Sequence, residues 1–203
     1  MGQLIWVWKG LIPMLQLTLM RHGTTQWMES GFIHGQSDSP LSANGIKEVA
    51  LAADWLKSQE FDILFTSPLG RTLQTAELVS AAVGLPPIPL DGLKERHLGY
   101  LEGRKMNNNP GRFFLFLLTG ESDRKFGRRI REAYAGMVVR QPHGKILCVT
   151  HAGVIAAMLH FLLAKGNPWR DYRVDPASLS QLEITDAGTV KLNFKNFSDH
   201  HTS

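Results

Sequence analysis

The chain has 203 residues, 43% of them hydrophobic and 20% charged, and carries a formal net charge of +4. That is enough apolar material for one medium-sized domain with a full core, and it excludes a disordered or fibrous chain. The lone cysteine, Cys148, excludes an intramolecular disulfide, makes no zinc-type spacing and fits a reducing cytoplasm, so a cytoplasmic protein is expected. Four excess cations are too few to mark a dedicated nucleic-acid face.

The first segment, MGQLIWVWKGLIPML, is apolar but interrupted by Lys9, Gly10 and Pro13. It lacks the charged start, unbroken apolar run and small-residue cleavage site of a secretory leader, and it is too short to span a bilayer. Residues 1–14 read as an extension, with Met14 as an alternative start and residues 15–203 as a single domain. LQLTLM (15–20) reads as a buried strand. SANGIKEVALAADWLKS follows as a helix with Ser42 as N-cap, and Ile46, Val49, Ala50, Ala53 and Leu56 on one face. FDILFT (61–66) is a second strand. GRTLQTAELVSAAVG is a second helix, stopped by Gly84. PIPLDGL (87–93) reads as a short strand.

An irregular section covers about 99–121. Within it RFFLFLL (112–118) reads either as core packing or as an apolar wall over a pocket. SDRKFGRRIREAYAGMVV predicts a third helix with Phe126, Ile130, Ala133, Tyr134 and Met137 as its apolar stripe. The basic start of that helix reads as a solvated face, or as a steering surface for anions. KILCVT (145–150) is a strand and GVIAAMLHFLLAKG a helix. LSQLEIT and TVKLNFK flank DAG as a hairpin. Alternating strands and helices predict a three-layer α/β/α sandwich, its sheet mostly parallel with an antiparallel edge strand. DHHTS (199–203) reads as a frayed tail rather than a metal site.

In open α/β sheets, ligands bind beyond the carboxyl ends of the strands. The first strand runs into Arg21-His22-Gly23. The second is followed by Ser67, Pro68 and Arg71. Glu95 follows the third, and His151 follows KILCVT. Two arginines, two histidines and a glutamate therefore meet at one sheet edge. Phosphoryl transfer spreads charge over three equatorial oxygens with attacking and leaving groups in line. Guanidinium forks suit those oxygens. A neutral imidazole can attack phosphorus, and flanking arginines keep His22 unprotonated. Glu95, its pKa raised by a neighbouring phosphate, can protonate the departing alkoxide. Nothing in this scheme requires a metal or a cofactor. Cys148, in a central strand, reads as a buried and inert thiol.

Five stretches resemble, in order, the signatures of the histidine phosphatase superfamily, the branch that contains cofactor-dependent phosphoglycerate mutases and their phosphatase relatives. LMRHGTTQW is similar to its RHG motif, GQSDSPLSANG to GxxDxPLTxxG, and FTSPLGRTLQTAE to SPLxRAxQTA. LKERHLGYLEG resembles LxExxxGxxEG, and CVTHAGVI the final histidine motif. By position, the resemblance implies that His22 is the phospho-accepting nucleophile and Glu95 the proton donor. It implies that Arg21, Arg71 and His151 hold the phosphoryl oxygens, and it makes Thr24 and Gln36 candidate substrate contacts. The chain departs from many relatives at Met28, where they carry a substrate-binding asparagine.

The expected activity is hydrolysis of a small phosphomonoester, independent of metal, with no nucleic-acid or membrane partner and a homodimer left open. Two rivals stand beside it. One is a phosphoglycerate mutase, but only 56 positions (151 minus 95) separate Glu95 from His151, which resembles the phosphatase branch. The other is a non-catalytic phospholigand-binding module.

Overall fold

The computed structural model of the chain describes residues 15–105, 110–166 and 171–198, with the backbone alone at 110, 112 and 113. The expectations placed on residues 1–14 and 199–203 lie outside the described residues. The first strand, β1 (Leu15–Arg21), leads through a one-turn helix α1 (Gln26–Glu29) to α2 (Ala43–Leu56). Next come β2 (Ile63–Thr66), α3 (Gly70–Val83) and β3 (Pro87–Pro89). Two short 3₁₀ turns precede α4 (Pro110–Thr119) and α5 (Asp123–Arg140). The chain closes with β4 (Gly144–Thr150), α6 (Ala152–Leu163), β5 (Leu179–Ile184) and β6 (Val190–Phe197).

The six strands form one sheet in the order β3-β2-β4-β1-β5-β6. The pairs β3–β2, β2–β4 and β4–β1 are parallel, whereas β1–β5 and β5–β6 are antiparallel. The expected antiparallel strand is therefore β5, one place in from the edge, and β6 folds back along the edge itself. The period-2 alternation of side chains gives the sheet two cores. Leu15, Leu17, Leu19, Ile146 and Cys148 face Phe126, Ile130 and Met137 of α5 and Val154, Ile155, Met158 and Leu159 of α6. Met20, Leu64, Leu147 and Val149 face Val49, Ala52 and Leu56 of α2 and Ala76 and Val79 of α3. Each fully buried Leu, Ile or Val contributes about 1.5–3 kcal/mol relative to exposure. Cys148 lies in the first of these cores, and burial pushes its thiol up to about 12.

Local signals set the helix ends. The Ser42 hydroxyl accepts from the Gly45 amide at 3.1 Å, and Gly84 closes α3 at φ +73°. The buried stripe of α2 is Gly45, Val49, Ala52, Ala53 and Leu56. Ile46 and Ala50, expected inside, are exposed. The helix is rotated because Gly45 must face inward: a Cβ there would overlap the Thr24 carbonyl oxygen, so the backbone of α2 packs directly on the loop after β1.

The section expected to be irregular holds α4. Phe114, Leu117 and Leu118 are 60–67% exposed, so these three side chains are not core. Phe116 instead lies under the Arg96 guanidinium, 4.9 Å from its ring centre. The strand expected over 87–93 ends at Pro89, and Asp91–Leu93 winds into a 3₁₀ turn.

Candidate active site

β1 and β4 are neighbours in parallel register, Arg21 opposite Thr150. The next residues, His22 and His151, therefore leave adjacent strands at the same level. The His22 amide continues the ladder to the Thr150 carbonyl at 3.0 Å. The two imidazoles stand edge to face with ring centres 5.3 Å apart. His22 Nδ1 lies 2.8 Å from the Gly23 carbonyl oxygen. A carbonyl can only accept, so Nδ1 carries the ring proton and Nε2 keeps a lone pair. The Arg71 Nε–H donates to that Nε2 at 3.3 Å. Burial first, then Arg71 and Arg21, hold the His22 pKa well below 6.5. Burial and Arg71 do the same to His151. Both rings are neutral at neutral pH.

Arg71 opens α3 and is 1% exposed. Its guanidinium donates to the Gly35 carbonyl at 2.8 Å, the Ser37 carbonyl at 3.0 Å and Asp38 Oδ1 at 3.0 Å. Asp38 also accepts from the Gly70 and Arg71 amides. It thereby caps α3 from outside, where Leu69 supplies no side-chain cap. Arg21 donates to the Val174 carbonyl at 2.8 Å, and the Met28 sulfur lies 3.8 Å from its Nη2. Two buried nitrogens at this edge, Arg21 Nε and His151 Nδ1, have no hydrogen-bond partner among the described residues. His151 Nε2 lies 2.8 Å from the Ser67 hydroxyl.

Glu95 sits against the start of α6, where Oε2 accepts from the Gly153 amide at 3.1 Å and Oε1 from the Arg96 amide at 2.8 Å. A Cβ on Gly153 would overlap Oε1, so the glycine leaves room for the carboxyl. Arg21, His22, Arg71 and Glu95 line one cavity of about 460 Å³, together with Met28, His34, Gly35, Arg96, Leu98, Ala152 and Gly153. His151 backs it through its contact with His22. All five residues that the motifs single out are thus brought together.

The two candidate substrate contacts both make hydrogen bonds within the protein. Thr24 gives its amide and hydroxyl to Glu48, both at 2.9 Å, and does not line the cavity. The Gln36 side-chain amide donates to the Glu95 carbonyl at 3.1 Å. Sequence reasoning passed over His34, whose Nε2 lies 2.9 Å from the Thr25 hydroxyl and whose pKa burial and Arg71 lower to about 4. It also passed over Asp38 and Glu102, although both stand inside the motif stretches GQSDSPLSANG and LKERHLGYLEG. Glu102 accepts from the Gln36, Ser37 and Leu98 amides at 2.7–3.0 Å. The 35–37 segment is thereby tied to Arg71, Glu102 and Glu95 at once. Arg129, expected on a solvated basic face, turns inward to the Glu95 loop instead. Among the described residues, no three or more His, Cys, Asp or Glu side chains form a metal-ligand set, and no helix is long and apolar enough to cross a membrane.

Known proteins resemble this chain in sequence and fold. The family model of the histidine phosphatase superfamily (branch 1) matches residues 17–196. A Yersinia enterocolitica protein named "Probable phosphoglycerate mutase GpmB" is 34% identical over 191 residues, covering 86% of this chain and 87% of its own. The crystal structure of the α-ribazole phosphatase from Shigella flexneri superposes with a TM-score of 0.81 at 27% identity, covering 90% of this chain and 96% of that one. A mycobacterial glucosyl-3-phosphoglycerate phosphatase does so with a TM-score of 0.80 at 25% identity, covering 90% and 99%. The chain belongs to the histidine phosphatase superfamily, branch 1.

Proposed function

We propose that the protein is a phosphomonoester hydrolase that works through a phosphohistidine at His22, on a small phosphorylated metabolite. The observation that carries this reading is the geometry at His22: Nδ1 lies 2.8 Å from the Gly23 carbonyl oxygen and Nε2 3.3 Å from Arg71 Nε, which leaves the Nε2 lone pair at the floor of an arginine-lined cavity. As phosphate enters, Arg71 Nε transfers its hydrogen bond from Nε2 to a phosphoryl oxygen. Arg21 Nε and His151 Nδ1, both buried without partners, take further oxygens. The Nε2 lone pair forms the P–N bond while the ester P–O bond breaks. Glu95 acts as the general acid and gives a proton to the leaving alkoxide. Water then enters the vacated side and gives a proton to the Glu95 carboxylate. Its oxygen attacks phosphorus, the P–N bond breaks, and inorganic phosphate leaves. No step in this scheme uses a metal.

The names of the curated relatives favour a second reading, a phosphoglycerate mutase, in which the phosphoryl group returns to substrate instead of passing to water. A single assay separates the two: purified protein is given 3-phosphoglycerate and a panel of phosphomonoesters in EDTA, with phosphate release and isomer interconversion both followed. Release of phosphate, abolished in His22→Ala, is expected. Interconversion faster than release would establish the mutase, and loss of release on chelation, restored by a divalent ion, would overturn the metal-free scheme.

A further inference from the structure

We infer that Arg129 of α5 is a positioning residue that sets the aim of the Glu95 carboxyl, a role that rests on the hydrolase reading for its kinetic consequence. The Arg129 guanidinium donates to three carbonyls of the loop that presents Glu95: Gly92 at 2.9 Å, Lys94 at 2.7 Å and Glu95 itself at 3.2 Å. Its other edge grips Glu121 in a two-point ion pair, Nε to Oε1 at 3.0 Å and Nη2 to Oε2 at 2.7 Å. Neither partner stands in open water, at 23% and 13% side-chain exposure, so the pair is more than a surface contact.

Glu121 is itself joined to the far side of the same loop. Its amide donates to the His97 carbonyl at 2.8 Å, and its carbonyl accepts from Arg96 Nε at 2.8 Å. Residues 92–97 are therefore held between Arg129 below and Glu121 beyond. Gln36 adds the third tie, to the Glu95 carbonyl. A surface-facing helical arginine has no need of three carbonyl acceptors. A planar fork that addresses several carbonyls of one turn at once fixes the backbone of that turn, and a lysine ammonium cannot reproduce it. The only reactive side chain on this turn that lines the cavity as a proton donor is Glu95. The brace therefore acts on the proton transfers through Glu95 and leaves His22, carried by β1, where it is.

The test compares Arg129→Met and Arg129→Lys with the parent on two substrates. p-Nitrophenyl phosphate has a leaving group that departs without a proton, whereas 2-phenylethyl phosphate needs one. Displaced general acid lowers kcat/KM, which reports phosphorylation of His22 and not the water step shared by both esters, about 30–100-fold for the alkyl ester and less than about threefold for the nitrophenyl ester in both variants. Parallel losses on the two esters, or no loss on either, overturn the assignment. Should Arg129→Met fail to fold, Arg129→Lys, which keeps the charge and the aliphatic stem, carries the comparison. The amide resonances of Gly153 and Arg96, which report the two hydrogen bonds to the Glu95 carboxyl, give a reading that needs no turnover. They lose their hydrogen-bonded shifts in the variants if the brace aims Glu95, and keep them if it does not. Unchanged resonances therefore sink the brace, whereas changed resonances in a protein inactive on every ester sink the hydrolase reading alone.

Discussion

Asp38→Ala removes the one carboxylate among the described residues that pairs with Arg71, and the structure sets the size of the effect. Arg71 is 1% exposed and Asp38 35%, so the substitution leaves a buried cation without its counter-charge. Breaking a fully buried pair costs about 3–5 kcal/mol, and the solvent around Asp38 reduces this to about 2–3. Asp38 also accepts from two amides at the start of α3, a cap whose loss adds about 1 kcal/mol. The sum, about 3–4 kcal/mol, lowers Tm by about 6–16 °C in a domain of this size. Asp38→Asn keeps an acceptor oxygen and loses only the charge, so it falls between the parent and the alanine variant. Urea unfolding and calorimetric melting read the stability, and titration with inorganic phosphate reads the site. Phosphate is expected to bind the alanine variant more weakly, because the Arg71 fork has lost the anchor that sets its angle. An alanine variant melting within about 2 °C of the parent, with unchanged phosphate affinity, would refute the view that Asp38 neutralises and aims Arg71.

Acid should destabilise the protein earlier than its carboxylates alone would. His22 and His151 titrate well below 6.5 when folded and near 6.5 when unfolded. The unfolded chain therefore binds protons that the native state refuses. Stability is full above about pH 6.5 and falls below it, at about 1.4 kcal/mol per pH unit for each ring. His34, half-buried and lowered to about 4, adds a smaller, screened share. Urea midpoints measured from pH 7.5 to 5 check this, and a flat line there contradicts it. Gly45→Ala forces a methyl group into the Thr24 carbonyl and is expected to cost about 3 kcal/mol, because backbone rather than a flexible side chain must yield. A denaturant midpoint unchanged from the parent would show that α2 can retreat freely. Gly153→Ala meets only the tip of Glu95, so stability is expected to hold while kcat on alkyl phosphates falls about 30-fold. Equal activity in the two proteins counts against Glu95 as the acid.

The site was legible in the sequence where chemistry and strand ends coincide. Arg21 ends a strand, His22 and His151 follow strands, Arg71 opens a helix and Glu95 lies in the turn beyond β3, and the strand–helix alternation places those ends on one edge. The hydrogen-bond partners of Thr24 and Gln36 were not legible, because Glu48 and the Glu95 carbonyl lie 24 and 59 positions away along the chain. Long-range pairing is also why Arg129 reads as one cation in a basic run: nothing near it in sequence announces three carbonyl acceptors. The rotation of α2 was missed for a different reason. Hydrophobicity patterns score Ile46 as the inward residue, whereas the close approach of two backbones demands the residue with no side chain, Gly45. The α4 helix fell within the section read as irregular, although Pro110 stands in its first turn, where proline is tolerated.

His22 and His151 emerge from adjacent rungs of a parallel ladder, and this divides the molecule into parts that change independently. Slipping either strand by one residue would turn its imidazole to the opposite face, so the distance between the two rings is as fixed as the sheet. The cavity rim is made of different material: Met28 on a one-turn helix, His34 in a loop, and Leu98 in a turn. Substitutions in those short pieces reshape the cavity without moving either imidazole. A scaffold built this way can change what it accepts while keeping what it does to it.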